Sequence, residues 1–125
     1  MTKVHKPITG NPLIQSIVRG IQEVKGRDIM VLDLRSIPHA VADYFVVCHG
    51  NSNTQVQSIA RSIEAEVQKD LNDRPWNKEG VQNANWILLD YSEAVVHVFY
   101  KEDREYYALE DLWADAKVSE VESRA

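Results

Sequence analysis

The sequence predicts an α/β fold, a small single domain in which a mixed β-sheet is flanked by helices. Its 125 residues are enough for one domain with one hydrophobic core. Short apolar runs of strand length recur along the chain, and stretches with apolar residues at helical spacing separate them. The expected order is helix, strand, strand, helix, strand, strand, helix, which is typical of a sheet covered by helices.

The first half of the chain predicts two helices and two strands. Asn11, which is followed by proline, is a good N-cap, and the proline suits the first helical position. Residues 28–34 and 43–48 are apolar on both faces, which predicts strands, the first of them central in its sheet. Ser52 and Gln55 then fit a capping box at the start of a long amphipathic helix.

The last third of the chain predicts a β-hairpin followed by an acidic helix. Residues 86–90 and 95–99 are apolar runs separated by a four-residue turn. A short edge strand is expected near residues 78–80. Residues 102–115 carry aromatic and leucine side chains at helical spacing, which predicts the last helix.

Charge is concentrated in this last predicted helix. Residues 102–115 contain six acids and one base, a net charge of −5 that equals the formal charge of the whole chain. The rest of the protein is therefore neutral. Because nucleic-acid affinity depends mostly on Lys and Arg contacts, the acidic end favours a basic protein partner over sequence-specific binding of nucleic acid.

The chain is expected to have three parts and a cytoplasmic location. Residues 1–10 are expected to form a flexible arm, residues 11–117 the domain, and residues 118–125 a flexible tail. The N-terminus is too polar for a signal peptide, and no apolar run approaches the roughly 20 residues of a membrane helix. Cys48 is the single cysteine, so an intrachain disulfide is impossible.

An ordered set of short motifs resembles the ribosomal silencing factor family (RsfS, also called Iojap). The match extends from about residue 12 to residue 116, and the combination is more specific than any one motif. The motifs are Asp43-Tyr-Phe-Val-Val, Ser52-x-x-Gln55-Val56, Glu79-Gly80, Trp86-Ile-Leu-Leu-Asp90, Val96-His-Val-Phe99 and Arg104-x-x-Tyr107-x-Leu-Glu-x-Leu-Trp113.

The resemblance implies a protein that is not an enzyme and that uses no cofactor. Members of the family bind the large ribosomal subunit through ribosomal protein L fourteen, block subunit association sterically and repress translation under nutrient limitation. They are similar to catalytically inactive relatives of the nucleotidyltransferase fold, and isolated members form homodimers. The resemblance and the polar N-terminus together predict a bacterial cytosolic member.

The hairpin carries four candidate contact residues. The resemblance places the partner contact around Trp86, and strand alternation puts Leu88 on the same face. Trp86 suits either a partner anchor or an ordinary core tryptophan. Tyr91 is expected to be exposed in the turn. His97 is expected beside Trp86 or Leu88 across the hairpin, in a structural or a contact role.

Three more candidates lie in the predicted last helix or directly before it. Lys101 follows the hairpin directly and could reach an acidic or RNA group. Arg104 suits a weak exposed ion pair, a contact with the partner, or a role in locking the fold. Tyr107 suits the core, a dimer contact or the ribosome contact.

Enzymatic alternatives lack their residue constellations. A nucleotidyltransferase needs a Gly-Ser pair before a strand and two carboxylates one residue apart that grip the metal ions. No Gly-Ser pair precedes the first strand, and Asp33 and Asp90 stand singly at the ends of their predicted strands. A cysteine hydrolase would pair Cys48 with His49 or His97, but neighbouring strand residues point to opposite faces. The four histidines and one cysteine show no metal-ligand spacing. A dimeric adaptor for another basic protein shares the acidic face and the aromatic anchors, and residue patterns alone leave it open.

Overall fold

The computed structural model describes residues 10–108 and 116–123. This part of the chain forms three helices and six strands, so the predicted small α/β domain is confirmed. In chain order the elements are α1 (Pro12–Glu23), β1 (Arg27–Asp33), β2 (Tyr44–Gly50), α2 (Asn53–Leu71), β3 (Asn77–Glu79), β4 (Trp86–Asp90), β5 (Ala94–Tyr100), α3 (Lys101–Tyr107) and β6 (Lys117–Val121).

The strands form one mixed sheet in the order β3-β4-β5-β2-β1-β6. The central pair, β2 and β5, is parallel, and each of the other neighbouring pairs is antiparallel. Every residue of β2 is buried. The parallel pairing requires a crossover between β2 and β5, and α2 lies in that connection. The predicted hairpin is β4 and β5, which pair from Trp86 with Phe99 to Asp90 with Val95.

Helices α1 and α2 cover the first face of the sheet and enclose the larger core. Asn11 caps α1 as predicted, since its side chain accepts from the backbone N–H groups of Leu13 and Ile14. Ser52 caps α2 by accepting from the backbone N–H of Gln55. The two helices approach closely at Gly20, whose carbonyl accepts a 2.7 Å hydrogen bond from the Ser62 hydroxyl.

Replacing Gly20 with alanine is expected to destabilise the protein by about 2 kcal/mol, although alanine favours a helix. An added Cβ would lie 2.7 Å from Cα of Ile63 and 3.0 Å from the Ser62 carbonyl oxygen, so α2 must move. Urea unfolding measures the change. Gly10→Ala is the matched control, because no heavy atom lies within 4 Å of a Cβ there. Equal stability of the two variants would show that the helix contact tolerates a methyl group.

The second face of the sheet is lined by a smaller core. Leu32, Phe45, Val47, Val95 and Phe99 are buried on it. Partly buried apolar residues from the strands, from the β1–β2 connection and from the position before β6 pack around them: Met30, Ile37, Ala40, Trp86, Leu88, Ala116 and Val118. Helix α3 is seven residues long and contacts the ends of β5 and β2. The second face therefore presents apolar side chains with little helical cover from the described residues.

The C-terminal end departs from the prediction. Residues 118–121, predicted as part of a flexible tail, lie in β6, which pairs antiparallel with β1. An edge strand is held mainly by backbone hydrogen bonds, so it does not need an alternating apolar pattern. The mixed polar sequence of these residues therefore resembles that of a flexible tail. The predicted helix over 102–115 is observed only to Tyr107, and residues 109–115 lie outside the described part. Residues 1–9 of the predicted arm also lie outside it.

Candidate functional site

An aromatic cluster stands on the second face where β4, β5 and α3 meet. We define it as Trp86, His97, Phe99 and Tyr107. The Trp86 ring lies 4.8 Å from the Phe99 ring and 4.8 Å from the Tyr107 ring, centroid to centroid. Phe99 is fully buried below, while Tyr107 is 47% exposed and Trp86 is half-buried. Such amphipathic, partly exposed rings are typical anchors of protein interfaces.

A hydrogen bond to a buried histidine orients the indole of Trp86. Its Nε1–H donates to Nδ1 of His97 over 3.1 Å. Because an indole N–H only donates, Nδ1 must accept, and the neutral imidazole carries its proton on Nε2. That second nitrogen is buried and has no hydrogen-bond partner among the described residues. Burial lowers the pKa of His97 to about 4, so this pair stays neutral near pH 7.

Arg104 ties α3 to the strands beneath it. Its side chain is buried, and Nη1 donates to the Asp28 carbonyl over 2.7 Å and contacts Nδ1 of His49 at 3.0 Å. Asp28 lies where the β1–β2 register shifts and has a φ of 48°, a left-handed conformation. Arg104 therefore holds an irregular piece of β1 and the end of β2 through one guanidinium.

A cleft of about 780 Å³ adjoins this guanidinium. Its floor includes His49 and Met30 of the second face, and its rim combines charges of both signs. Bases and acids nearly balance there, so the cleft shows no preference for an anion or a cation. The charged lining residues are Arg27, Asp28, Lys101, Arg104, Glu105, Glu120 and Glu122.

Comparison with known proteins identifies the family. The family model described as "Ribosomal silencing factor during starvation" (RsfS) matches residues 7–125. The chain belongs to the ribosomal silencing factor family. The RsfS protein of Bacillus subtilis is 48% identical over 99 residues, which cover 78% of this chain and 81% of that protein.

Solved structures support the same family assignment. A crystal structure from Bacillus halodurans, 36% identical, has a TM-score of 0.73 and covers 88% of this chain and 96% of the other. A Chromobacterium violaceum structure, 29% identical, has a TM-score of 0.76 and covers 90% of this chain and 89% of the other.

A more distant mouse relative, "Mitochondrial assembly of ribosomal large subunit protein 1", is 30% identical over 105 residues, which cover 80% of this chain and 44% of the mouse protein.

Four of the seven candidate residues come together in this silencing factor family member. Trp86 and Leu88 share the second face, as strand alternation predicts, and His97 pairs directly with Leu88 across the hairpin. Tyr107 packs against Trp86 from α3. The expectation that His97 lies beside Trp86 or Leu88 is confirmed, because His97 accepts a hydrogen bond from Trp86 and is the cross-strand partner of Leu88.

Lys101 and Arg104 lie at the cleft, to one side of the cluster. Lys101 is exposed at the first position of α3, whereas Arg104 is buried. The hydrogen bonds of Arg104 to the carbonyl of β1 and to His49 correspond to the fold-locking role considered from the sequence. Arg104 thus anchors α3, the helix that carries Tyr107, to the strands beneath it.

The prediction that Tyr91 is exposed is wrong. Its ring is buried and belongs to the core beneath α1 and α2, on the opposite side from Trp86. The alternation that brings Ile87 and Leu89 to that face continues one residue beyond β4. Burial raises the pKa of the Tyr91 hydroxyl. Tyr91 cannot contact a partner on the second face without local unfolding.

Two residues of the site were not recognised from the sequence. Phe99 is the buried base on which Trp86 and Tyr107 rest, a role that its sequence motif does not indicate. The sequence presents His49 only as the neighbour of Cys48 and as one of four histidines without metal-ligand spacing. Alternation along β2 could have placed His49 on the same face as Phe45 and Val47, but the approach of Arg104 from 55 residues away has no local signal.

The described residues do not assemble an enzymatic or metal site of the types considered. Cys48 is fully buried on the first face, and burial raises the pKa of its thiol to about 12. Its cross-strand partner is Val98, so Cys48 and His97 point to opposite faces. Within residues 10–108 and 116–123, no three His, Cys, Asp or Glu side chains could hold a metal ion together, and no helix is long and apolar enough to cross a membrane.

Proposed function

We propose that this protein binds the large ribosomal subunit through ribosomal protein L fourteen. Bound there, it blocks association with the small subunit and represses translation under nutrient limitation. In this role the protein acts in the cytoplasm without catalysis or a cofactor, and it forms a homodimer when free. Family membership supports this function, as does the name of the mouse relative, which refers to the large ribosomal subunit.

The aromatic cluster is the observation that carries the proposal. A blocking protein needs affinity rather than chemistry, and nanomolar affinity corresponds to about −12 kcal/mol. Most of that free energy comes from a few anchors, with Trp, Tyr and Arg enriched among them. Trp86 and Tyr107 stand together, partly exposed, on a firm base of buried Phe99. We therefore assign the partner contact to Trp86, Leu88 and Tyr107.

Charge near the cluster favours a basic partner. Glu102 and Glu105 are exposed on α3, and Asp103 is partly exposed beside them. Acidic groups on the helix that carries Tyr107 would steer a basic protein toward the cluster and discourage RNA phosphates. Lys101 lies at the edge of this acidic group, where it can pair with an acid of the partner.

Sedimentation tests the proposal directly. Purified protein is mixed with separated ribosomal subunits and run on a sucrose gradient. We expect the protein to migrate with the large subunit and to be absent from the small-subunit fraction. At a magnesium concentration that just permits joining, added protein should reduce the fraction of joined ribosomes. Failure to migrate with the large subunit would favour an adaptor for another basic protein.

A further inference from the structure

The contact between Arg104 and His49 requires a neutral imidazole. A guanidinium only donates, so Nδ1 of His49 must accept across the 3.0 Å separation. The proton of the neutral ring is then on Nε2, which lies 3.9 Å from a carboxylate oxygen of Asp28. A second proton on Nδ1 would remove the acceptor. It would also place two cations in contact inside a largely buried site.

Charged groups face His49 from three sides. Arg104, Lys101 and Glu105 approach from α3, Arg27 and Asp28 lie on β1, and Glu120 and Glu122 line the same cleft from β6 and its end. Burial is the largest cause that lowers the pKa of His49, and Arg104 is the next. Lys101 lowers the pKa of His49 further, whereas the carboxylates of Asp28 and Glu105 raise it. The balance favours the neutral ring.

Helix α3 depends on this contact more than a longer helix would. It has only seven residues, and its described contacts include no side-chain cap at the N-terminus. Isolated helices of this length are unstable in water. Arg104 is its buried residue, and Tyr107 lies one turn further on the same side. Release of Arg104 would therefore let Tyr107 leave Trp86.

We infer that His49 and Arg104 form an acid-sensitive latch, which holds α3 and Tyr107 on the second face when His49 is neutral and releases them when it is protonated. The consequence for ribosome binding rests on the function proposed above, whereas the latch itself does not. The partner-binding face is then regulated by pH through a histidine that the partner does not touch.

The direction of the pH dependence follows from the lowered pKa. The unfolded chain and the released helix leave His49 near its ordinary pKa of about 6.5. With its pKa lowered in the latched state, the stabilisation is fully present above about pH 6.5 and is lost as pH falls through the latched-state value. His97 titrates separately, since its pKa is about 4.

NMR of the full chain between pH 7.5 and 4.5 tests the latch. The ring signals of His49 report its protonation, and the backbone signals of residues 101–107 report the helix. The nuclear Overhauser contact between the Tyr107 and Trp86 rings reports docking. We expect the ring contact and the helical shifts to be lost with the midpoint of His49, while the signals of β5 remain those of a folded strand.

His49→Gln separates the latch from general acid effects. The glutamine amide oxygen can accept from Arg104 and does not titrate, so this variant should keep α3 docked at pH 5. His39→Asn is the matched control at an exposed histidine whose φ of 63° suits asparagine. It should behave as the wild type. If α3 undocks at the same pH with glutamine at position 49, the latch is wrong.

The wild-type titration is decisive even if the glutamine variant fails to fold. Titration of His49 with no change in residues 101–107 would overturn the latch. So would a His49 ring that stays neutral down to pH 4.5, or a helix that undocks at a midpoint different from that of the ring.

Binding to large subunits provides the functional arm. One pH unit below the His49 midpoint, about a tenth of the protein stays latched, so apparent affinity should fall about tenfold. His49→Gln measured on the same subunits corrects for the response of the ribosome itself, and it should not show this fall. Absence of binding at pH 7.5 would refute the proposed function and leave the NMR result standing. Equal pH dependence in both proteins would refute the regulatory role.

Discussion

Replacing Trp86 with alanine is expected to weaken binding of the large ribosomal subunit by about 2 kcal/mol or more, roughly 30-fold. Trp86 offers the largest partly exposed ring of the aromatic cluster, and its indole N–H is already satisfied by His97. A partner therefore meets mainly the apolar part of the indole, whose removal forfeits its whole contact area. Equilibrium binding of labelled protein to purified large subunits measures the change.

Two control variants separate anchoring from stability. Trp76→Ala removes the same side chain from a position 71% exposed and outside both cores, and it should bind like the wild type. Trp86→Phe keeps a ring but leaves Nδ1 of His97 without its donor, and we expect intermediate affinity. Circular dichroism establishes that each variant is folded. A folded Trp86→Ala protein with wild-type affinity would remove Trp86 from the binding face.

Replacing Phe99 with alanine is expected to lower the free energy of unfolding by about 3–5 kcal/mol. Phe99 is fully buried, and its ring contacts both Trp86 and Tyr107. Truncation leaves a cavity beneath both partly exposed rings, so the proposed binding face should lose its shape together with stability. Urea unfolding of the wild type and the variant gives the difference in free energy.

Tyr106→Ala is the matched aromatic truncation. Tyr106 is 81% exposed on the same short helix, and its ring contact among the described residues is a T-shaped one with Tyr107. Its removal should cost less than about 1 kcal/mol. A similarly small loss for Phe99→Ala would mean that the cluster does not rest on this ring.

Local sequence patterns were sufficient for most elements. The caps at Asn11 and Ser52 placed the starts of both long helices, because capping depends on the side chain and the next three residues. The boundaries of β4 agree with the prediction, since its alternation is strict. The same alternation, carried one residue further, would have placed Tyr91 in the core.

Strand β6 and the role of His49 could not be predicted from local sequence patterns. Residues 117–121 carry no strong strand pattern, and only pairing with β1 makes them a strand. Arg104 sits in an acidic stretch that predicts a surface helix, yet its guanidinium is buried against residues 55 to 77 positions away. Contacts at such separations depend on how the chain returns on itself.

The sequence by itself determined the α/β class, most of the elements, the hairpin and the family to which the chain belongs. Those properties follow from periodicity, capping and motif order, which are local along the chain. Only the tertiary structure decided the strand order, the placement of the cluster opposite α1 and α2, and the joining of Arg104 to His49. These depend on long-range packing, in which a buried guanidinium must find acceptors wherever the fold provides them.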